Sequence, residues 1–100
     1  MNMQALMQQA QKMQKEMQKK QAELEAQVFD VTSAGGAIKI KIKGSRQIES
    51  IEIDKDAIDP EEKEMLEDMI KVAINEAISV VDQAFDQLNA SLTNGMRMPF

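Results

Sequence analysis

The chain has 100 residues and a formal net charge of -5, and it contains no Cys, His, Trp or Tyr. This length fits one small domain, for which oligomerisation is a common way to bury more apolar surface. Without Cys and His, the chain offers no disulfide, no thiolate or imidazole metal ligand and no histidine base. We therefore expect a protein that is not an enzyme and that uses no cofactor, no metal and no small-molecule substrate.

Charge is divided unevenly along the chain. Residues 1–46 hold eight basic and four acidic side chains, for a net charge of +4, whereas residues 47–100 hold four and thirteen, for -9. An acidic total argues against nucleic-acid binding, but the distribution matters more than the sum, and the N-terminal half is basic. The N-terminal residues also lack the continuous apolar stretch of a signal peptide, so we expect a cytoplasmic protein that does not associate with membranes.

The first predicted element is a helix over residues 3 to about 27. Apolar residues recur there at steps of three and four, separated by good helix formers. At roughly 100° per residue, Lys12, Lys15 and Lys19 fall nearly opposite this apolar stripe. A long, narrow stripe suits packing against another helix better than packing against a sheet. The stripe consists of Met3, Leu6, Ala10, Met13, Met17, Leu24 and Val28.

Three short strands follow, and their spacing predicts an antiparallel meander. The first covers residues 28–33 and ends at a turn that contains two glycines, residues 34–36. The second reads A-I-K-I-K-I-K-G from residue 37 to residue 44, so its isoleucines and its lysines lie on opposite faces. The third covers about 48–54, and the phase of its isoleucines predicts a bulge near Glu49–Ser50.

The lysines of the second strand allow two interpretations. They are either a solvated face that keeps the sheet from aggregating, or a row of contacts to an anionic polymer. Together with the lysines of the first helix they favour the polymer, because lysine neutralises phosphate without base-specific geometry. The predicted DNA-binding residues are Lys12, Lys15, Lys19, Lys20, Lys39, Lys41, Lys43 and Arg46.

A second long helix is predicted from Asp59, the N-cap, to about Leu92, with Pro60 at its first position and Glu62 completing a capping box. Its apolar pattern forms two adjacent seams. The first consists of Leu66, Ile70, Ala73, Ala77, Val80 and Ala84, and the second of Ile74, Ile78, Val81, Phe85, Leu88 and Leu92. A single three-stranded sheet covers one seam, so the other predicts a homodimer. Residues 1–93 then form one domain, followed by a flexible tail at 94–100. The predicted dimer interface is Leu66, Ile70, Ile74, Ile78, Val81 and Phe85.

Several segments, in this order and spacing, resemble the YbaB/EbfC family of small bacterial nucleoid-associated proteins. They are Q-Q-A-Q-K-M-Q at 8–14, A-G-G-A-I-K-I-K-I-K-G at 34–44, I-E-I-D at 51–54, E-M-L-E-D-M-I at 64–70 and A-I-N-E-A at 73–77. The resemblance implies an α+β subunit of order α-β-β-β-α, a tweezer-shaped homodimer, association with the nucleoid, and duplex DNA as the partner, bound with low or modest sequence selectivity. It supplies no compact DNA-contact motif, so the predicted contacts rest on the charge pattern.

The methionines leave a second function open. A methionine stripe is most often core or helix–helix interface, but it also suits a promiscuous binding surface. The alternative hypothesis is therefore a protein-interaction or chaperone-like adaptor that uses its Met-rich helical surfaces.

Overall fold

The computed structural model describes residues 2–95, with side chains described through Ser91, and it consists of two long helices and one sheet. The elements in chain order are α1 (Met3–Ala26), β1 (Val28–Ser33), β2 (Ile38–Lys43), β3 (Ile48–Ile53) and α2 (Lys63–Gly95). This α-β-β-β-α order confirms the predicted fold class. Helix α2 continues to Gly95, beyond the predicted end at Leu92. Of the tail predicted at 94–100, the first two residues belong to α2 and the others lie outside the described residues.

The sheet is the predicted antiparallel meander, with β2 between β1 and β3. Its register shifts once, because Lys41 lies opposite Ser50 whereas Ile42 lies opposite Ile48. Glu49 is therefore the extra residue on β3, and the predicted bulge is confirmed. This bulge returns Ile48 to the isoleucine face of the sheet, which an unbroken alternation would not do.

Helix α2 begins after a single 3-10 turn, Pro60–Glu62, and the Asp59 carboxylate accepts a hydrogen bond from the Glu61 N–H at 3.0 Å. The predicted N-cap is thus confirmed. It satisfies one of the backbone donors that a helix start leaves free.

The hydrophobic core lies between α2 and the isoleucine face of the sheet. All three isoleucines of β2 are at most 1% exposed, as are Ala73, Ala77 and Val81 of α2. Alanine side chains let the helix approach the sheet closely. Helix α2 crosses β1 and β2 and has little contact with β3, so Ile51 on β3 remains 42% exposed although it lies on the core face.

Helix α1 is attached to the rest of the subunit at its C-terminal end, where it meets the β2–β3 turn. The Gly44 N–H donates to the Gln27 carbonyl at 2.9 Å, and the Ser45 N–H donates to the Glu25 carbonyl at 3.0 Å. A Cβ on Gly44 would lie 1.8 Å from the Leu24 carbonyl oxygen, so only glycine permits this approach. No residue of α1 is fully buried, and the molecule measures 73 × 28 × 16 Å.

Candidate nucleic-acid interface

The basic face of α1 is open to solvent. Lys12, Lys15, Lys19 and Lys20 are all exposed, and none takes part in the ion pairs found among residues 2–91. Glu16 is the one carboxylate within this stretch. At 1.5 Å per residue, the four lysines occupy about 12 Å of helix axis. The structure therefore brings these predicted contacts together on a projecting helix, with their charge uncompensated by ion pairs.

The lysines of β2 lie on the outer face of the sheet, among carboxylates. Lys39 is directly opposite Glu52 on β3, and Lys41 is directly opposite Asp30 on β1. Side chains in such cross-strand positions have Cβ atoms about 5 Å apart, close enough for opposite charges to attract. The sheet therefore places a carboxylate opposite each of these two lysines, although neither takes part in the ion pairs found among residues 2–91.

Lys43 has a carboxylate neighbour as well. Its Nζ lies 3.3 Å from Oε1 of Glu49, the extra residue of the bulge. The three lysines of β2 thus face three carboxylates on the same side of the sheet. Sequence reasoning noticed the lysine row but missed its acidic neighbours, although pairing the strands in the predicted meander would have placed them there.

Arg46, the last predicted DNA contact, is used within the subunit. It lies in the β2–β3 turn with a φ of 71°, and its guanidinium donates to the Asp82 carboxylate of α2. The guanidinium carbon is also 5.4 Å from the centroid of the Phe85 ring. This side chain therefore ties the turn to α2 by an ion pair and a cation–π contact. No local pattern connects positions so far apart in sequence, and both partners were missed.

The residues predicted for the dimer interface divide into two groups. Val81 is fully buried within the subunit, so it has no surface left for a partner. The others are half-buried, and all of them except Leu66 pack at the margin of the core; they are Leu66, Ile70, Ile74, Ile78 and Phe85. Further apolar surface on α2, which the prediction did not include, comes from Met65, Val72 and Val80, between 36% and 56% exposed.

The apolar stripe of α1 is exposed over its N-terminal half. Met3, Leu6 and Met13 are 72%, 49% and 39% exposed, whereas Met17 and Leu24, nearer the attachment point, are half-buried. Within the subunit this stripe is therefore a surface and not part of the core.

The described residues hold no group of three or more His, Cys, Asp or Glu side chains placed to bind a metal. Neither long helix, over its described residues, contains an apolar stretch that could cross a bilayer. A cleft of about 690 Å³ beside α2 has an apolar floor of Met65, Met69 and Val72 and an acidic rim.

Comparison of the sequence with models of known protein families identifies the family of this chain. The model of the YbaB/EbfC DNA-binding family matches residues 1–96. The chain belongs to this family. It is a family of nucleoid-associated DNA-binding proteins and not of enzymes, which confirms the resemblance found in the residues.

Individual proteins similar to this chain support the same family assignment. A nucleoid-associated protein of Clostridium novyi is 44% identical over 99 residues, which is 99% of this chain and 87% of that protein. One from Chloroflexus aurantiacus is 43% identical over 97 residues, 97% of each chain. The crystal structure of an uncharacterised protein from Helicobacter pylori matches 92% of this chain and 97% of that one with a TM-score of 0.72 at 20% identity, a likeness of fold alone.

Proposed function

We propose that a homodimer of this chain binds duplex DNA chiefly through phosphate contacts from the lysines of α1, with low or modest sequence selectivity. This activity would associate it with the nucleoid and affect nucleoid organisation and gene expression. One contrast carries the assignment to α1. The four lysines of this helix are exposed on its projecting part and take part in none of the ion pairs found among residues 2–91. On β2, by contrast, Lys43 is ion-paired with Glu49, and Lys39 and Lys41 stand directly opposite Glu52 and Asp30 in the sheet.

Phosphate contact suits these side chains. Lysine acts as a compact point charge and needs no planar, two-pronged geometry to neutralise phosphate. Contacts of this kind fix position on the duplex but carry no sequence information directly. The uncompensated charge on α1 therefore supports binding that depends strongly on salt and weakly on base sequence.

Dimerisation is supported by the uncovered part of the core face. Because α2 crosses β1 and β2, the inner face of β3 is left open and Ile51 stays 42% exposed. The flank of α2 that includes Ile74 and Ile78 is half-buried and packs against the same core. A second copy that covers these side chains would bury apolar surface that one subunit cannot, worth roughly 25 cal/mol per Å², and would double the number of basic helices.

The test compares two matched triple variants, Lys12→Gln/Lys15→Gln/Lys19→Gln on α1 and Lys39→Gln/Lys41→Gln/Lys43→Gln on β2. Each removes three positive charges per subunit. If all four lysines of each α1 engage, the wild-type dimer neutralises about eight phosphates, and log K falls against log salt with a slope of about -7. The α1 variant leaves about two contacts, for a slope of about -2, whereas the β2 variant keeps a slope near -7.

The salt slope is the decisive measurement. Affinity alone is not, because removing any lysine makes the net charge more negative and weakens the long-range attraction to DNA even where that lysine makes no contact. Circular dichroism and sedimentation are the controls, and both variants should keep the wild-type fold and mass. A loss of slope in the β2 variant alone would move the interface to the sheet. A wild-type slope near zero would contradict phosphate contact altogether.

The adaptor hypothesis remains as the second candidate, and the exposed methionine stripe of α1 is the observation that favours it. It predicts that the wild type fails to bind duplex DNA even at low salt. It also predicts that binding of a protein partner survives the α1 triple variant.

A further inference from the structure

We propose that the apolar stripe of α1 pairs antiparallel with the same stripe of a second copy, so that copies bound to DNA are joined through their α1 helices. The pairing of the helices does not depend on whether the protein binds DNA. Its consequence, that one assembly holds two duplexes together, rests on the proposed DNA binding.

The spacing of the stripe is that of a coiled-coil seam. Met3, Leu6, Ala10, Met13 and Met17 follow one another at steps of three, four, three and four residues. This alternation is the a and d pattern of a heptad repeat, in which each helix inserts its side chains between those of its partner. Three of the five are exposed large apolar side chains, so the seam is free along the projecting part of the helix.

The residues beside the seam fit pairing with an identical helix. In the heptad frame that begins at Met3, the flanking e and g positions through residue 16 are Met7, Gln9, Gln14 and Glu16. These positions decide which helices pair, and like charges facing one another there oppose association. With a single charge among the four, the flanks oppose self-pairing little.

Three of the four lysines of α1 lie away from this seam; the fourth, Lys20, occupies the d position that follows Met17. Lys12 and Lys19 occupy c positions and Lys15 an f position, on the outer side of the helix. Pairing through the stripe therefore buries none of the three, and each keeps its exposed ammonium group for phosphate. One helix can hold a duplex on one side and a second copy on the other.

Two observations favour the antiparallel orientation. Residues 2–11 carry no charged side chain, whereas residues 12–20 carry four lysines and one glutamate, so antiparallel pairing places the basic half of one helix beside the uncharged half of the other. Paired helices also lie only about 8–10 Å apart. Since each α1 ends against its own sheet, antiparallel pairing keeps the two subunit bodies at opposite ends.

Antiparallel pairing sets a positions opposite d positions and so fixes the register. The longest overlap of the stripe brings Leu6 of one copy against Met17 of the other, and Ala10 against Met13. The overlap spans residues 3–20, about 26 Å of helix, and sets Met3 of one copy opposite Lys20 of the other at each end. A seam this short, with an alanine in the middle, is weak in free solution, and DNA strengthens it by raising the local concentration of the copies.

The test uses cysteine cross-linking, which is clean because the chain has no cysteine of its own. Leu6→Cys and Met17→Cys proteins are mixed on duplex DNA under a mild oxidant, and the covalent products are identified by mass. The expected result is a mixed dimer at least fivefold more abundant than either self-linked product. The matched control pair is Ala5→Cys with Gln18→Cys, which lie at the same levels but off the seam and should not cross-link above background.

Other outcomes would overturn the proposal. Self-linked Leu6→Cys dimers as abundant as the mixed product would indicate parallel pairing. Equal cross-linking by the off-seam pair would indicate random collision. No cross-link at either pair on DNA would exclude the interface.

A second measurement keeps this inference separate from DNA binding. Leu6→Gln/Met13→Gln leaves charge and helix propensity nearly unchanged, and both sites are exposed, so the variant should fold and bind one duplex with the wild-type salt slope. It should capture a second duplex on an immobilised one at least fivefold less than wild type, whereas Ala5→Gln/Ala22→Gln should behave as wild type. Equal capture of the second duplex by the seam variant and by Ala5→Gln/Ala22→Gln would overturn the pairing. If the cysteine proteins cross-link at the seam but do not bind DNA, only the proposed function is overturned.

Discussion

Replacing Gly44 by alanine tests whether the close approach of α1 to the β2–β3 turn holds the helix in place. The added Cβ would lie 1.8 Å from the Leu24 carbonyl oxygen, and ordinary contact begins at about 3.4 Å, so the two backbones must separate by about 1.6 Å. That separation breaks the hydrogen bonds from Gly44 to Gln27 and from Ser45 to Glu25. At about 1 kcal/mol for each bond, the free energy of unfolding should fall by about 2 kcal/mol.

Thermal unfolding followed by circular dichroism measures this loss. For a domain of this size each kcal/mol corresponds to about 4–8 °C, so Gly44→Ala should lower Tm by about 8–16 °C. Gly35→Ala is the matched control, because a Cβ there meets nothing within 4 Å and only its φ of +65° is unfavourable. That strain is worth about 1 kcal/mol, or about 4–8 °C.

Limited trypsin digestion locates the damage. In Gly44→Ala, cleavage after Lys19 and Lys20 should quicken because the base of α1 has come loose, whereas Gly35→Ala should be cut at the wild-type rate. Equal Tm losses and equal cleavage in the two variants would show that the contact between Gly44 and the end of α1 does not hold the helix.

Three further predictions follow from the same structure. Arg46→Ala should reduce the free energy of unfolding in urea by about 1 kcal/mol, since its ion pair is half exposed, and adding Asp82→Ala should cost little more. Asp30→Asn with Glu52→Gln should raise affinity for duplex DNA and steepen the salt slope, because it frees the lysines opposite them; unchanged binding would mean that those carboxylates do not restrain the lysines. Ile51→Asp should convert the proposed dimer to a monomer in sedimentation while the helix content is retained, whereas Ile51→Val should remain dimeric.

Local patterns in the sequence predicted the elements of this fold and their order. The alternation of isoleucine and lysine in β2 predicts a strand with one buried face, and the phase of Ile48 against Ile51 and Ile53 predicts the bulge at Glu49. Each of these features depends on residues within a few positions of one another. The same holds for the Asp59 cap, whose hydrogen bond closes over two residues.

Features that depend on how the elements pack together could not be predicted from the sequence. Arg46 and Asp82 lie 36 residues apart, and their contact exists only because α2 crosses the sheet at one particular angle. The periodicity of α2 suggested two separate seams, yet Val81 of the second seam is buried beside Ala73 and Ala77 of the first. The helix surface that a sheet covers is set by their crossing, which hydrophobic spacing does not specify.

The bulge in β3 also affects whether strands of other chains can add to the edge of this sheet. Both β1 and β3 are edge strands of six residues, and a regular edge can recruit a strand from another chain and seed aggregates. The extra residue Glu49 interrupts the hydrogen-bonding repeat of one edge and puts a carboxylate there, two devices that discourage strand addition. With that edge blunted, a projecting helix and an uncovered core face offer the better routes for copies of this chain to meet.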